Sequence, residues 1–235
     1  MGPVIRRAPA MSANQRRRRR HMRVAILKLA CQTAILAIVF TTTARAQDTS
    51  TVSKQAVQAK LTYCEVCHGP SARGFAGYYP IPRLAGQQPE YIKNQLDAFV
   101  ERRRVNPIMF SVGHVLSPAM IAALAANFHD LNPPPLGGAP KELVATGKQI
   151  FQEGIPSANV PPCASCHGPE AKGNGPFPRL AGQLYPYIVR ALGIFGEERG
   201  QNPAKPDTSA IMQPIAHSLT EAQIKAVAAY VSYLE

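Results

Sequence analysis

Two copies of one pentapeptide limit what this chain can become: Cys64-Glu65-Val66-Cys67-His68 and Cys163-Ala164-Ser165-Cys166-His167. Each is followed at once by Gly-Pro, at Gly69-Pro70 and Gly168-Pro169. A C-x-x-C-H run reads as a c-type haem attachment site. Two thiols three positions apart can add to the two vinyl groups along one haem edge. The adjacent His is then held under the iron as an axial ligand. A redox dithiol needs no histidine, and a zinc site would need a second Cys or His pair to close four ligands. Cys64, Cys67, Cys163 and Cys166 are therefore the expected anchors of two haem c groups. His68 and His167 are the expected proximal iron ligands.

A length of 235 residues suits one large or two ordinary domains. The formal charge of +12 suggests a nucleic-acid partner until the charge is located. Residues 1–46 hold ten Lys/Arg and no Asp or Glu. Residues 47–135 carry a net +2 and residues 136–235 a net of zero. The basic excess belongs to the leader, so nucleic acid is not an expected partner. That leader has the form of a secretory signal. Arg16 to Arg20 and Arg23 make a positive region, Leu29 to Phe40 is largely apolar, and Ala44-Arg45-Ala46 is a small-x-small cleavage site. Met22 would open an ordinary signal of 25 residues, which reads residues 1–21 as an over-extended start. The apolar stretch is short for a membrane span and is broken by Lys28, Gln32 and Thr33, so an uncleaved anchor is the lesser alternative. Cys31 lies in the leader. The other four cysteines all belong to the two motifs, which leaves none for a disulfide. A periplasmic location is expected.

The chain repeats itself. The two C-x-x-C-H runs lie 99 residues apart. Pro82-Arg83-Leu84-Ala85-Gly86-Gln87 returns 96 residues later as Pro178-Arg179-Leu180-Ala181-Gly182-Gln183, and Tyr91-Ile92 returns as Tyr187-Ile188. Met109, His114 and Leu116 return as Met212, His217 and Leu219, 103 residues on. The order is kept, as expected of a tandem duplication. The boundary is the run from Asn132 through three prolines and Gly137-Gly138 to Pro140, a semi-rigid spacer. The expected layout is a leader at 1–46, a first domain at 47–132, a linker at 133–140 and a second domain at 141–235.

Both domains read as all-α. Helices are expected at Val52 to Tyr63, Lys141 to Phe151, Pro89 to Arg102 and Tyr185 to Glu198. Each domain ends in its clearest helix. Ser117-Pro118 supplies a cap and an N1 proline, and Thr220 to Gln223 a capping box. The stripes Ile121, Leu124, Phe128, Leu131 and Ile224, Val227, Val231, Leu234 mark buried faces. Residues 153–162 form an extra loop before the second motif.

What fills the iron's other axial position decides the function: Met or a second His gives electron transfer, and an open site gives ligand binding or catalysis. Met109 and Met212 are the expected sixth ligands, because the repeat preserves both and each is read as lying in a loop before a terminal helix. Met120 aligns with Gln223 and is expected in the core. His114 and His217 are the competing ligands, with a surface or propionate-contacting role otherwise; His129 is expected at a helix end. Arg83 and Arg179 read either as propionate partners or as solvated surface arginines. Pro82 and Pro178 could present the carbonyl that accepts from the proximal His ring. Tyr91 and Tyr187 could pack on the haem or hydrogen-bond a neighbour, with core packing the expected role. Arg102-Arg103-Arg104 has no counterpart in the second half. It reads as a solvated face or as a docking patch for an acidic partner or an anionic membrane surface, which would give peripheral membrane association.

Together these motifs resemble the dihaem cytochrome c4 family over essentially the whole chain after the leader. The resemblance implies two small all-α cytochrome c-like domains with His–Met haems, facing each other near a pseudo-twofold interface. It implies electron transfer between redox proteins in the periplasm, often to a terminal oxidase, with no bond chemistry. It carries Cys64, Cys67, His68 and Met109 to the first haem and Cys163, Cys166, His167 and Met212 to the second. The extra residues Pro203 to Asp207 and the loop before Cys163 depart from the pattern and raise a question about the depth of the second pocket. Two alternatives stand beside this reading: a dihaem peroxidase-like enzyme with one open haem, and a cytochrome subunit of a larger dehydrogenase or oxidase complex.

Overall fold

The computed structural model describes residues 52–235; the leader lies outside them. The helices are α1 (Lys54–His68), α2 (Pro89–Val100), α3 (Pro107–His114), α4 (Pro118–Asp130), α5 (Val144–Glu153), α6 (Ala164–His167), α7 (Tyr185–Gly193), α8 (Phe195–Glu198), α9 (Ser209–Ser218) and α10 (Glu221–Ser232). Among the described residues extended pairing is limited to isolated bridges, so the all-α expectation holds. No single helix among them is long and apolar enough to cross a membrane.

The first expected helix runs further than periodicity suggested. Capped by the Ser53 side chain, α1 continues through Cys64 and Cys67 and ends on His68. Both thiols and the imidazole thus project from one rigid element, with i and i+3 positions on one face. In the second half the corresponding helix is split. α5 stops at Gly154, a loop stapled by the Ile155–Val160 bridge intervenes, and α6 alone carries the motif.

The terminal helices form as the sequence dictates. Ser117 Oγ accepts from Met120 N at 3.2 Å, and the Thr220–Gln223 capping box is complete. Ile121, Leu124 and Phe128 are buried against Ile92 and Leu96 of α2. Ile224, Val227 and Val231 are likewise buried in the second half. There α10 packs on α5 and α7, around Ile150, Phe151, Ile188 and Tyr230.

Two expectations fail for local reasons. The segments holding Met109 and Met212 are helices, not loops. Asn106, a turn former, instead caps α3 by accepting from Met109 N at 2.9 Å, and Pro107 takes the N1 position that needs no donor. α9 carries Pro214 inside it, which reads as a breaker in sequence. The span Tyr185 to Glu198 is also two helices, broken at Ile194.

Helices α5 and α10 approach tightly at Gly147. A Cβ there would sit 2.0 Å from the Ala226 carbonyl oxygen of α10 and 2.8 Å from Tyr230 Cβ. Neither backbone nor Cβ can move aside without parting the helices. Gly147→Ala is expected to destabilise the protein by at least ~1–3 kcal/mol, the cost of overpacking a tight core. An unchanged urea midpoint would refute this reading of the α5–α10 contact.

Candidate haem-binding sites and the contact between the halves

Each histidine is oriented by one hydrogen bond. His68 Nδ1 donates to Pro82 O at 2.8 Å, and His167 Nδ1 donates to Pro178 O at 2.9 Å. A carbonyl can only accept, so the proton sits on Nδ1 and the lone pair on Nε2. Both rings are buried, and burial is the main reason that their pKa values fall below the ordinary value. They are neutral, as an iron ligand must be. The four motif cysteines are unpaired thiols among the described residues. Burial raises Cys64 and pushes Cys163 up to about 11.

Each site therefore offers two free thiols and an imidazole with Nε2 available. A cleft of ≈ 410 Å³ opens beside Cys64, between α1 and the Pro107, Ile108, Ser111 and Val112 side of α3. Met109 packs from the same short helix toward the core beside Leu116 and Met120, and Met212 is half-buried in α9. His114 is exposed and stacks on Phe110 with ring centroids 5.7 Å apart; His217 is exposed in α9. His129 is at the end of α4, bonded through Nδ1 to Gln87 O at 3.1 Å.

The repeated hexapeptide is where each site meets the other half. Leu84 N and Ala85 N donate to Ala72 O, and Gly86 N to Phe128 O at 2.7 Å, which ties the segment to α4. Leu180, Ala181 and Gly182 repeat this with Ala171 O and Val231 O. The polar residues then cross. Arg83 N donates to Gln183 Oε1 at 2.8 Å, and Gln183 Nε2 donates back to Arg83 O at 3.0 Å. Arg179 N donates to Gln87 Oε1 at 2.7 Å, and Gln87 Nε2 donates to Arg179 O at 3.1 Å. The two glutamines, Arg83 and Arg179 are all buried.

Arg83 and Arg179 are thus not solvated surface arginines. Each Nε bonds within its own hexapeptide, to Ala85 O and Ala181 O. Each guanidinium lies over the opposite glycine. A Cβ on Gly86, at φ +74°, would meet Arg179 Nη1 at 3.1 Å, and one on Gly182, at φ +68°, would meet Arg83 Nη1 at 3.2 Å. Neither has a carboxylate partner among the described residues. Burial, then the nearby charges of Arg179 and Arg73, pull Arg83 down to about 10. Arg73 Nε is buried with no hydrogen-bond partner. Buried cations without anions are costly. This donor set suits carboxylates brought by a ligand, as the haem propionates would be.

A second contact corrects the reading of the arginine run. Arg103 pairs with Glu101 and with Asp207, and Gln201 N donates to Arg103 O at 3.2 Å. Arg104 donates to Gln95 Oε1 at 2.6 Å and to Tyr187 Oη at 3.0 Å. Lys205 reaches Glu101 Oε1 at 2.9 Å. Only Arg102, in a turn at φ +57°, remains exposed, so the run is not a continuous basic patch. Lys205 and Asp207, among the extra residues Pro203 to Asp207, serve this contact. Tyr187 takes the hydrogen-bonding alternative rather than simple core packing, since its hydroxyl accepts from Arg104. The signal for both contacts was present in the sequence: a glutamine kept in both repeats, and an arginine run facing an insertion, each unmatched to any haem role.

Comparison with known proteins agrees with the repeat. The cytochrome c family model matches residues 144–235. A cytochrome c-552 of Acidithiobacillus ferridurans is 41% identical over 177 residues, 73% of this chain and 73% of that protein. A cytochrome c4 of Thiocapsa roseopersicina is 36% identical over 185 residues, 77% of this chain and 92% of that one. The chain belongs to the cytochrome c4 family. The solved cytochrome c4 of Acidithiobacillus ferrooxidans superposes with a TM-score of 0.62 at 38% identity, covering 74% of this chain and 99% of that one. As a member of this family, the chain is a dihaem electron-transfer cytochrome with two covalently bound haem c groups.

Asp207 gives the second contact a pH dependence. Burial pushes its carboxyl up, but hydrogen bonds from Ser209 and the Arg103 guanidinium outweigh this and hold it below the ordinary value. A lowered folded pKa adds stability that is present above the unfolded value of about 4 and lost as pH falls through the folded one. Hydrogen-exchange protection of the 198–207 segment, measured relative to the intrinsic rate at each pH, is expected to drop below about pH 4, and Asp207→Asn should already be poorly protected at neutral pH. Equal protection in both proteins at pH 7 would rule this out.

Proposed function

We propose that the protein is an exported, periplasmic electron shuttle in which His68 and Met109 ligate one iron and His167 and Met212 the other. Cys64, Cys67, Cys163 and Cys166 form the thioethers. The observation that carries this reading is the paired geometry of His68 and His167. Each Nδ1 is committed to a proline carbonyl, and each Nε2 is free beside two unpaired thiols. The bound haem c supplies one-electron chemistry between ferric and ferrous iron. The protein's own residues do the rest. The proline carbonyls fix the imidazole planes and raise their basicity. Arg83, Arg179 and Arg73 offer charge-assisted hydrogen bonds to propionates. The apolar faces of α2, α4, α7 and α10 exclude water.

The domain division at 47–132, 133–140 and 141–235 belongs to this reading, supported by the family match to 144–235. The partners we propose are a dehydrogenase-type donor and a terminal oxidase as acceptor, reached without bond chemistry at either haem. Matched methionines in both halves favour an electron carrier over a peroxidase-like enzyme, because they leave neither iron open.

Met109→Ala and Met212→Ala test the ligands. The ferric wild-type protein should show the weak far-red band of methionine ligation, and each variant should lose about half of it. One midpoint potential should fall in each, because the thioether favours ferrous iron. An unchanged band in either variant would remove that methionine from the ligand set. Rapid carbon monoxide binding by the reduced wild type would reinstate the peroxidase-like alternative.

A further inference from the structure

The two crossed glutamines do more than join the halves. The peptide unit whose carbonyl accepts from His68 is the Pro82–Arg83 unit, and its N–H donates to Gln183. The unit whose carbonyl accepts from His167 is Pro178–Arg179, and its N–H donates to Gln87. One amide therefore stands between each proximal histidine and a side chain of the opposite half. Hydrogen bonds in such a chain polarise one another. An acceptor on the N–H places more negative charge on the carbonyl oxygen. That oxygen then draws harder on the Nδ1 proton, and the imidazole becomes a more basic ligand.

We infer that Gln183 tunes the iron held by His68 and that Gln87 tunes the iron held by His167, each across the contact between the halves. The inference rests on the two histidines being the proximal ligands. Both are positioning residues; neither glutamine touches a ligand atom. The geometry favours tuning over mere fastening. Each Oε1 is buried and directed at the one amide N–H that backs a histidine. The same Oε1 also accepts from the next residue, Gln88 N at 2.9 Å or Leu184 N at 3.0 Å, which fixes its position. The two wires have the same length within 0.1 Å at each bond, 2.8 and 2.8 Å against 2.9 and 2.7 Å. A more basic imidazole stabilises ferric iron, so each glutamine lowers the potential of the opposite haem.

The test uses the full dihaem protein. Gln183→Met keeps the volume and removes the acceptor. Gln183→Glu keeps the acceptor and strengthens it. Potentials are read for each haem separately, by redox titration followed through assigned haem-methyl resonances. In Gln183→Met the potential of the haem in the first half should rise, with little change in the second. In Gln183→Glu it should fall. Gln87→Met should give the mirror result. An equal shift of both haems in Gln183→Met, a shift confined to the second haem, or no shift would overturn the inference. Parting of the halves alone would give the equal shift. A wild-type spectrum without low-spin histidine ligation would instead refute the ligand assignment, and the inference with it, before any variant is made.

Discussion

The structure depends on the hydrogen bond between each buried histidine and a proline carbonyl. That bond fixes the tautomer, aims Nε2 and anchors the hexapeptide that follows the proline. Everything downstream is registered to it. The Leu-Ala pair folds back on Ala72 or Ala171, the glycine meets the terminal helix, and the glutamine reaches the opposite half. A neutral hydrogen bond adds only ~0.5–1.5 kcal/mol net, but leaving a buried partner unsatisfied costs ~1–3 kcal/mol. The four glutamine bonds are thus modest as attractions and severe as constraints. The halves must meet in one register or strand buried amides.

The second contact has no such symmetry. Arg103 and Glu101, from the turn after α2, pair with Asp207 and Lys205 of the segment that only the second half contains, and Arg104 meets Tyr187 of α7. The reciprocal contact fixes the halves along the pseudo-twofold axis. The ionic contact sits to one side, is more exposed, and is weakened by salt and acid. Arg190 over the Tyr79 ring, 4.4 Å from its centroid, adds a further bridge. Two anchor points of different chemistry prevent rotation about a single one.

Much of this was legible in the residues. The capped terminal helices stand as read, and the family's two haem c groups agree with the presence of two C-x-x-C-H runs. The hydrogen bonds to Pro82 and Pro178 match the acceptor role that those prolines could take. The failures share a cause. Met109 and Met212 read as loop residues, but Asn106 and Pro107 start a short helix around the first, and the helix around the second accommodates Pro214. The arginine run looked solvated because its partners lie about a hundred residues away. Burial of Arg83 and Arg179 was hidden in the same way, because no local pattern reveals that two like charges will face each other across a pair of glycines.

Asn132 has a consequence of its own. Its side-chain oxygen lies 3.5 Å from Arg83 Nη2 and 3.4 Å from Arg179 Nη2, so one residue serves both arginines. A single side chain shared by two equivalent arginines cannot be supplied twice. Two separate copies of one ancestral module would each bring an asparagine to that point, and the two would collide or shut each other out. Covalent fusion removes the conflict by letting a single copy of that position differ from its twin. At the joint the halves differ where it matters: the repeat offset of 103 residues sets Glu235 against Asn132, so exchanging the first half for a second copy of the other would not supply that asparagine.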